Sequence, residues 1–414
     1  MRHKRVLVVG WKRPLLQKAK ALGAEVWFAQ HPGKYRPDVA DVSDMILLCD
    51  YTDQESFVAL VADLHSVRPF DAVVAVAEDA LLPTSMVVDR LGLRGASART
   101  VRLLTDKWAM RQILAESGVD PVTAALGSTG ADLLAFGAES GYPFIAKPIA
   151  GCGSFGVSEV ASPEHVPGAL SALGGRRFIM EEFLDGPEIS VETFSFGSRH
   201  VVLAMTEKHV GNGFVEAGHT VPAELPQDLV DEVRTLVERF LDAVGLCDSP
   251  AHVEVKLTRR GPRIVEGHNR RGGDRINELV EHTCGIDMEA LTLAWALDLT
   301  EPLTAGPRPV GQAAIRFLTA APGEVLEVAG IDAATRVPGV HAVQVSVKPG
   351  DNIGPVEWSD DRPGYVIAVA DHDAAEVCAR AADLIRIHTH PISGTGRSQT
   401  LPTRGVDQSP LFGY

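Results

Sequence analysis

Through the first hundred residues, short apolar runs alternate with segments whose apolar positions recur every three or four. KRVLVVG, EVWFAQ, DMILLCD and DAVVAVAED read as buried strands. Between them lie PLLQKAKALG, opened by Pro14 and closed by Gly23, then ESFVALVADLHS and a stretch ending near Gly92, all with helical spacing. Strand and helix in alternation predict a parallel α/β sheet with its sites at the carboxyl ends of the strands. Glu78 and Asp79 stand at such an end, and Glu78 is a candidate substrate contact. LLTDKWAMRQILAESGVD comes next as one helical stretch stopped by Gly118.

The period then changes to two. YPFIAKP precedes Gly151, Gly153 and Gly156, and GVSEV comes after them, so the glycines sit between two strands. A dinucleotide fingerprint would open a helix instead. A glycine loop between strands folds over a triphosphate as a flap. The backbone N–H groups of Gly153, Ser154, Phe155 and Gly156 then face phosphate oxygens, and Lys147 on the entering strand brings its ammonium to the same place. The plain alternative is a flexible hairpin with a surface lysine. Further on, VEVKL and RIVEG read as a hairpin bent at Arg259-Arg260-Gly261. Symmetry about Arg260 puts Glu254 opposite Glu266, with Cβ atoms roughly 5 Å apart. Such a pair repels unless a hard cation sits between, which is how Mg²⁺ is commonly held. His252, His268 and Lys256 fall on the same face, where packing around the carboxylates is the simpler role. The alternative for the whole hairpin is a set of solvated surface charges.

Two long amphipathic segments flank this hairpin, LVDEVRTLVERFLDAVG and INELVEHTCGIDMEALTLAWALDL, the second preceded by Arg270, Arg271, Gly272, Gly273 and Asp274. Gly272 and Gly273 let the chain turn closely there, which brings Asp274 toward a substrate pocket. Its carboxylate either caps the adjoining helix or recognises a substrate ammonium. Beyond Pro302, GQAAIRFLT, VQVSVKPG, YVIAVADH and a closing helix AAEVCARAADLIRIH suggest a small α+β cap. The expected partition is an N-terminal α/β domain (1–105), a small lobe with the glycine flap (106–185), a large lobe with the acidic hairpin (186–300), the cap (301–390) and a flexible tail (391–414).

Composition removes several classes. With 45% apolar and 22% charged residues over 414 positions, the chain has the make-up of a soluble globular enzyme. A net charge of -15 argues against a nucleic-acid partner. No membrane span is visible, and the first apolar run is too short for a signal segment. Five scattered cysteines without C-x-x-C spacing indicate reduced thiols and a cytoplasmic location, with Cys152 a small filler in the glycine loop.

TDKWAMRQIL, YPFIAKPIAGCGSFGV, FIMEEFLDGPEISVE, HVEVKL and IVEGHNRRGGD occur in an order and spacing that resembles the ATP-grasp superfamily from Val6 to about His390. The resemblance implies an ATP-grasp fold, with a Rossmann-like pre-ATP-grasp domain before a two-lobed core. It implies ATP and Mg²⁺ as cofactors, with Mn²⁺ as a substitute. Lys107 and Lys147 would contact phosphates, Glu181, Glu182, Phe183 and Leu184 would form the adenine hinge, and Glu188 would take the ribose. Glu254 and Glu266 match the metal-binding glutamates. Where the pattern has E-x-N-x-R, His268 stands at the asparagine position and Asn269 one residue later, which leaves a third, neutral metal contact open.

Within the superfamily the chain looks like the L-amino acid ligases, because EAGHTVPAEL precedes the hairpin and E-x-x-x-R-x-G-G-D follows. Those enzymes join a carboxylate to an amine through an acylphosphate, releasing ADP and phosphate. Arg270 would hold the oxyanion, and His219 would bind the intermediate or assist proton loss from the amine. A solvent-facing loop histidine is the alternative for His219. Gly273 and Asp274 would line the substrate pocket. Small-molecule acids and amines are the expected partners, and a homodimer the expected assembly. The competing readings are a biotin-carboxylase-like or purine-pathway ligase and a nucleotide-binding regulatory protein without turnover.

Overall fold

The computed structural model describes residues 3–10, 12–151, 153, 156–211, 215–356 and 358–391. The opening apolar runs form a parallel sheet ordered Met45–Leu48, Glu25–Gln30, Arg5–Val9, Ala72–Val74. Val6, Val8 and Phe28 pack on one face and Leu7, Val9 and Trp27 on the other, which is why the central strands show no alternation. Helix Glu78–Leu91 begins just past the last of these strands, so Glu78 stands at a carboxyl end as expected.

A second sheet, wholly antiparallel, is ordered Ala124–Gly127, Phe178–Glu182, Phe144–Pro148, Ser158–Val160. Helices Gly130–Ser140 and Val166–Leu173 supply Leu133, Phe136 and Leu173 to its core. The glycine loop joins its last two strands, as expected. The third sheet has eight antiparallel strands in the order Gly261–His268, Ser249–Thr258, Glu188–Phe196, Arg199–Val210, Glu216–Val221, Gln312–Phe317, Gly364–Ala370, Val340–Val345. It runs without a break across residue 300, so the C-terminal segment extends the sheet that bears the acidic hairpin. A three-stranded sheet of Asn352–Ile353, Gly323–Ala329 and Arg386–His390 completes the described residues.

Three expected helices are shorter than their patterns. The stretch through LLTDKW breaks at Asp106, whose carboxylate accepts from the backbone N–H groups of Trp108 and Ala109 and starts a new helix at Lys107. The second long amphipathic segment divides into Ile276–Cys284 and Met288–Ala296, because Gly285 adopts the left-handed conformation and Asp287 caps the second of these helices. The closing helix ends at Ala382, and Arg386–His390 is a strand paired with Gly323–Ala329. The tail from 392 lies outside the described residues, as do Cys152, Ser154 and Phe155 of the glycine loop.

In the large sheet, alternation separates an oily face from a charged one. Ile189, Val191, Val253, Val255 and Ile264 meet Val233, Val237, Phe240 and Val244 of helix Gln227–Val244. Glu188, Ser190, Glu192, Lys208, His252, Glu254, Glu266 and His268 occupy the opposite face. Gly267 belongs to the oily face between two site residues, and a Cβ there would lie 2.5 Å from the Phe240 ring. Gly267→Ala should therefore lower the unfolding free energy by about 1–3 kcal/mol, read as a shift in denaturant midpoint. An unshifted midpoint would show that the hairpin does not press on this helix.

Candidate active site

The acidic hairpin has the expected pairing, reached by a different route. Its turn is the two residues Arg259 and Arg260, with Thr258 facing Gly261. That register alone would set Glu254 against Val265. A bulge at Val265 adds one residue to the second strand, so Glu254 faces Glu266 and His252 faces His268. The bulge also lets Ile264 point into the apolar core while Glu266, two residues on, points to the site. The Val265 carbonyl accepts a hydrogen bond from Arg111 at 3.1 Å.

Lysines compensate the buried carboxylates. Lys208 reaches Glu188 at 2.6 Å, Glu254 at 2.7 Å and Glu216 at 3.1 Å. Burial opposes its charge, but these three carboxylates outweigh burial and raise its pKa well above the ordinary lysine value. Lys107 lies 2.9 Å from Glu266 and donates to the Gly151 carbonyl at 2.6 Å. Burial would raise both glutamates; Lys208 holds Glu254 below the usual carboxylate range, and Lys107 does the same for Glu266. His252 contacts Glu192 at 2.9 Å and Glu254 at 3.4 Å, and its pKa is pushed up to about 9 because Glu192 overcomes the effect of burial. His268 contacts Glu266 at 3.0 Å and Glu78 at 3.4 Å. Each imidazole braces a carboxylate. Two ionised carboxylates facing one another on a buried polar surface form an all-oxygen donor pair that fits Mg²⁺.

A second cluster centres on His219, which is 1% exposed and so is not a loop histidine in solvent. It lies on strand Glu216–Val221, and its Nε2 is 3.1 Å from Asp274 Oδ2. A carboxylate only accepts, so Nε2 carries the hydrogen and Nδ1 of the neutral ring keeps a lone pair. That Nδ1 is buried without a hydrogen-bond partner among the described residues. Arg362 grips Asp274 at 2.5 and 2.8 Å and stacks over Phe317 at 3.5 Å. Asp274 is not the helix cap: Ile276–Cys284 begins after Arg275, which makes no side-chain cap bond. Arg270 donates to Glu78 at 2.6 Å.

Two cavities meet at these clusters. The smaller, about 500 Å³, is lined by Lys107, Lys147, Glu181, Glu182, Phe183, Leu184 and Glu188 among others. The larger, about 1100 Å³, includes Glu78, Gly153, His219, Arg270, Gly273 and Asp274. Lys208, Glu216, Glu254 and Glu266 belong to both. Gly156 lines neither and packs against Pro148. Sequence reasoning missed Lys208, Glu216 and Arg362. Their roles come from strand pairing and from a contact 88 residues away, neither of which leaves a local motif.

The sequence matches an ATP-grasp N-terminal domain over residues 16–95, an ATP-grasp domain over 140–278 and the L-amino acid ligase C-terminal domain 2 over 316–390. It is 28% identical to an uncharacterised protein of Sinorhizobium fredii over 360 residues, covering 83% of this chain and 73% of that one. It is 26% identical to alanine–anticapsin ligase of Bacillus subtilis over 269 residues, covering 58% of this chain and 57% of that relative. The crystal structure of an L-amino acid ligase from Bacillus licheniformis shares the fold with a TM-score of 0.82 at 24% identity, over 94% of this chain and all of that one. Residues 16–95 and 140–278 are thus matched as ATP-grasp domains, and the chain has the ATP-grasp fold. Within it, the similarity runs to the L-amino acid ligases.

Glu181 supports the floor of the smaller cavity. Arg111 holds it at 2.5 Å and Lys147 at 2.7 Å. Burial would raise its pKa, but those two charges prevail and hold it at about 2, below the ordinary 4.5. A depressed carboxylate stabilises the fold above its unfolded value, and that contribution is lost as pH falls toward the folded one. Wild type should therefore exceed Glu181→Gln in stability by on the order of 3 kcal/mol at neutral pH. The gap should narrow as pH drops from 4.5 toward 2. Denaturant midpoints across that range test this, and a gap independent of pH would contradict it.

Proposed function

We propose that the protein is an ATP-dependent carboxylate–amine ligase that forms an amide or peptide bond between an amino acid, or a related acid, and an amino-group acceptor. The carrying observation is that the two cavities share one wall, made of Glu254, Glu266, Lys208 and Glu216. A phosphoryl group bound in one cavity and a carboxylate bound in the other would meet there.

In this reading Lys107, Lys147 and the glycine-loop backbone hold the phosphates. Residues 181–184 take the adenine and Glu188 the ribose. Glu254 and Glu266 would hold Mg²⁺, which supplies charge neutralisation at the phosphates when bound. The substrate carboxylate attacks the γ-phosphorus, the bond to the bridging oxygen breaks, and ADP leaves. The amine nitrogen then attacks the acyl carbon, and phosphate departs with the bonding electrons. Arg270 stabilises the oxyanion of the tetrahedral intermediate. His219 Nδ1 accepts the amine proton while Asp274, fixed by Arg362, holds the ring in the tautomer that leaves Nδ1 free. The similarity to alanine–anticapsin ligase and the L-amino acid ligase C-terminal domain supports an amino acid as one substrate.

Incubation with ATP, Mg²⁺ and pooled amino acids should yield ADP and phosphate together with a coupled product found by mass spectrometry. AMP and pyrophosphate would exclude the acylphosphate route, and no turnover with any pool would favour a regulatory protein. Hydroxylamine should trap the activated acid as a hydroxamate. Asp274→Asn should slow amide formation by about 10²–10⁴-fold while leaving the ATP KM unchanged. Hydroxamate formation should fall less, because hydroxylamine is already neutral at neutral pH. Equal loss of both products would place Asp274 in the first step instead.

A further inference from the structure

Away from both cavities, helix Ile276–Cys284 and the edge strand Val340–Val345 bring Glu278, His282 and His341 together, with one donor atom from each within 4.8 Å of the others. We propose that these three residues form a binding site for a divalent transition-metal ion of borderline softness, Zn²⁺ in the first instance, separate from the Mg²⁺ position on the hairpin.

The donor set suits such an ion. Two imidazoles and one carboxylate match the three-ligand zinc sites that leave a fourth position to water. The spacing of four residues puts Glu278 and His282 on one face of the helix, and the opposite face is anchored by Ile276, Leu279 and Val280 in the core. His341 comes from the neighbouring strand, and its ring lies 4.1 Å from that of His282, edge to face. The Nε2 atom of His282 is buried with no hydrogen-bond partner among the described residues. A buried ring nitrogen without a partner is unfavourable unless something else meets it. Metal ligation uses the lone pair of an unprotonated ring nitrogen, which this unpartnered Nε2 can present to an ion.

Glu278 has a supporting partner of its own. Arg275 donates to Oε2 at 2.7 Å, which orients the carboxylate and leaves Oε1 for the ion. Tetrahedral zinc with bonds of about 2.0–2.1 Å needs donors roughly 3.4 Å apart. Closing from 4.8 Å therefore takes a movement of about 1 Å, which the exposed His341 side chain can make by rotation. Mg²⁺ demands oxygen ligands and would not compete here. Helix Ile276–Cys284 starts directly after Asp274 and Arg275, so a bound ion would tie this helix to the sheet edge and stiffen the approach to Asp274.

The full-length protein is titrated with Zn²⁺ alone in excess Mg²⁺, which keeps the hairpin carboxylates engaged. Calorimetry should find one equivalent of zinc bound, and the thermal midpoint should rise with zinc concentration. His341→Ala removes an exposed side chain and should fold with an unchanged midpoint in the absence of zinc. It should bind zinc at least about tenfold more weakly and lose the zinc-dependent rise. Glu278→Gln should weaken binding in the same direction. Co²⁺ should give visible absorption in wild type that His341→Ala lacks. Equal zinc stoichiometry and affinity in wild type and His341→Ala would overturn the assignment, as would wild type that binds no zinc.

Discussion

The site depends on buried ammonium groups delivered among its carboxylates, that of Lys208 first. Lys208 has a side chain 3% exposed and touches Glu188, Glu216 and Glu254 at once. Taking a carboxylate out of water costs several kcal/mol even after the protein relaxes, and for Glu254 the Lys208 ammonium more than offsets that cost. That charge arrives through strand pairing. Strand Arg199–Val210 lies between the strands of Glu188 and Glu216, and Glu254 is one strand further on. Lys107 plays the same part for Glu266 from outside the sheet, and the helix break at Asp106 is what places it there. Loss of Lys208 would take the shared ammonium from Glu188, Glu216 and Glu254, and loss of Lys107 would take the one beside Glu266.

This arrangement explains the two faces of the large sheet. In EISVETF the apolar Ile189 and Val191 turn to helix Gln227–Val244, while Glu188, Ser190 and Glu192 turn to the charged side. Such alternation ordinarily marks a face in water. Here Ser190 and Glu192 are fully buried, and Glu192 is met by His252, by the Ser190 hydroxyl and by the backbone of Gly272. The class of each strand was thus legible in the sequence, but the burial of its polar face was not. Burial of this kind needs partners that are far away along the chain.

Legibility failed wherever a distant partner overrode a local preference. Asp274 carries the local signature of a helix cap, yet its carboxylate is held by Arg362 and His219, and the helix starts without it. Asp106 could be read as one more polar position on a continuous helix, and only its bonds to two backbone N–H groups reveal a new start. Gly285 with Asp287 two residues later was a readable stop and start, since glycine favours the left-handed end and aspartate the next cap. The Glu254–Glu266 pairing was correct by symmetry about Arg260, although a two-residue turn and a bulge produce it. Pattern arguments reach a bulge only through its consequence, because one extra residue leaves composition and period almost unchanged.

The sheet also links the two cavities mechanically. Lys208 pairs directly with His219 in the register of adjacent strands, and His219 pairs in turn with Ile315 of the C-terminal segment. The group that gathers the acidic wall and the group beside Asp274 are therefore neighbours on one rigid surface, set by backbone hydrogen bonds. The groups at the far side of the larger cavity are held differently. Lys34 and Tyr51 gather on Asp79 in the N-terminal domain, and Trp358 approaches from a loop. Loops tolerate substitution and strand registers do not. A change in what the larger cavity accepts can therefore arise at that outer rim without disturbing the row from Glu266 to His219, where a shift of one residue would turn every charged side chain into the apolar core.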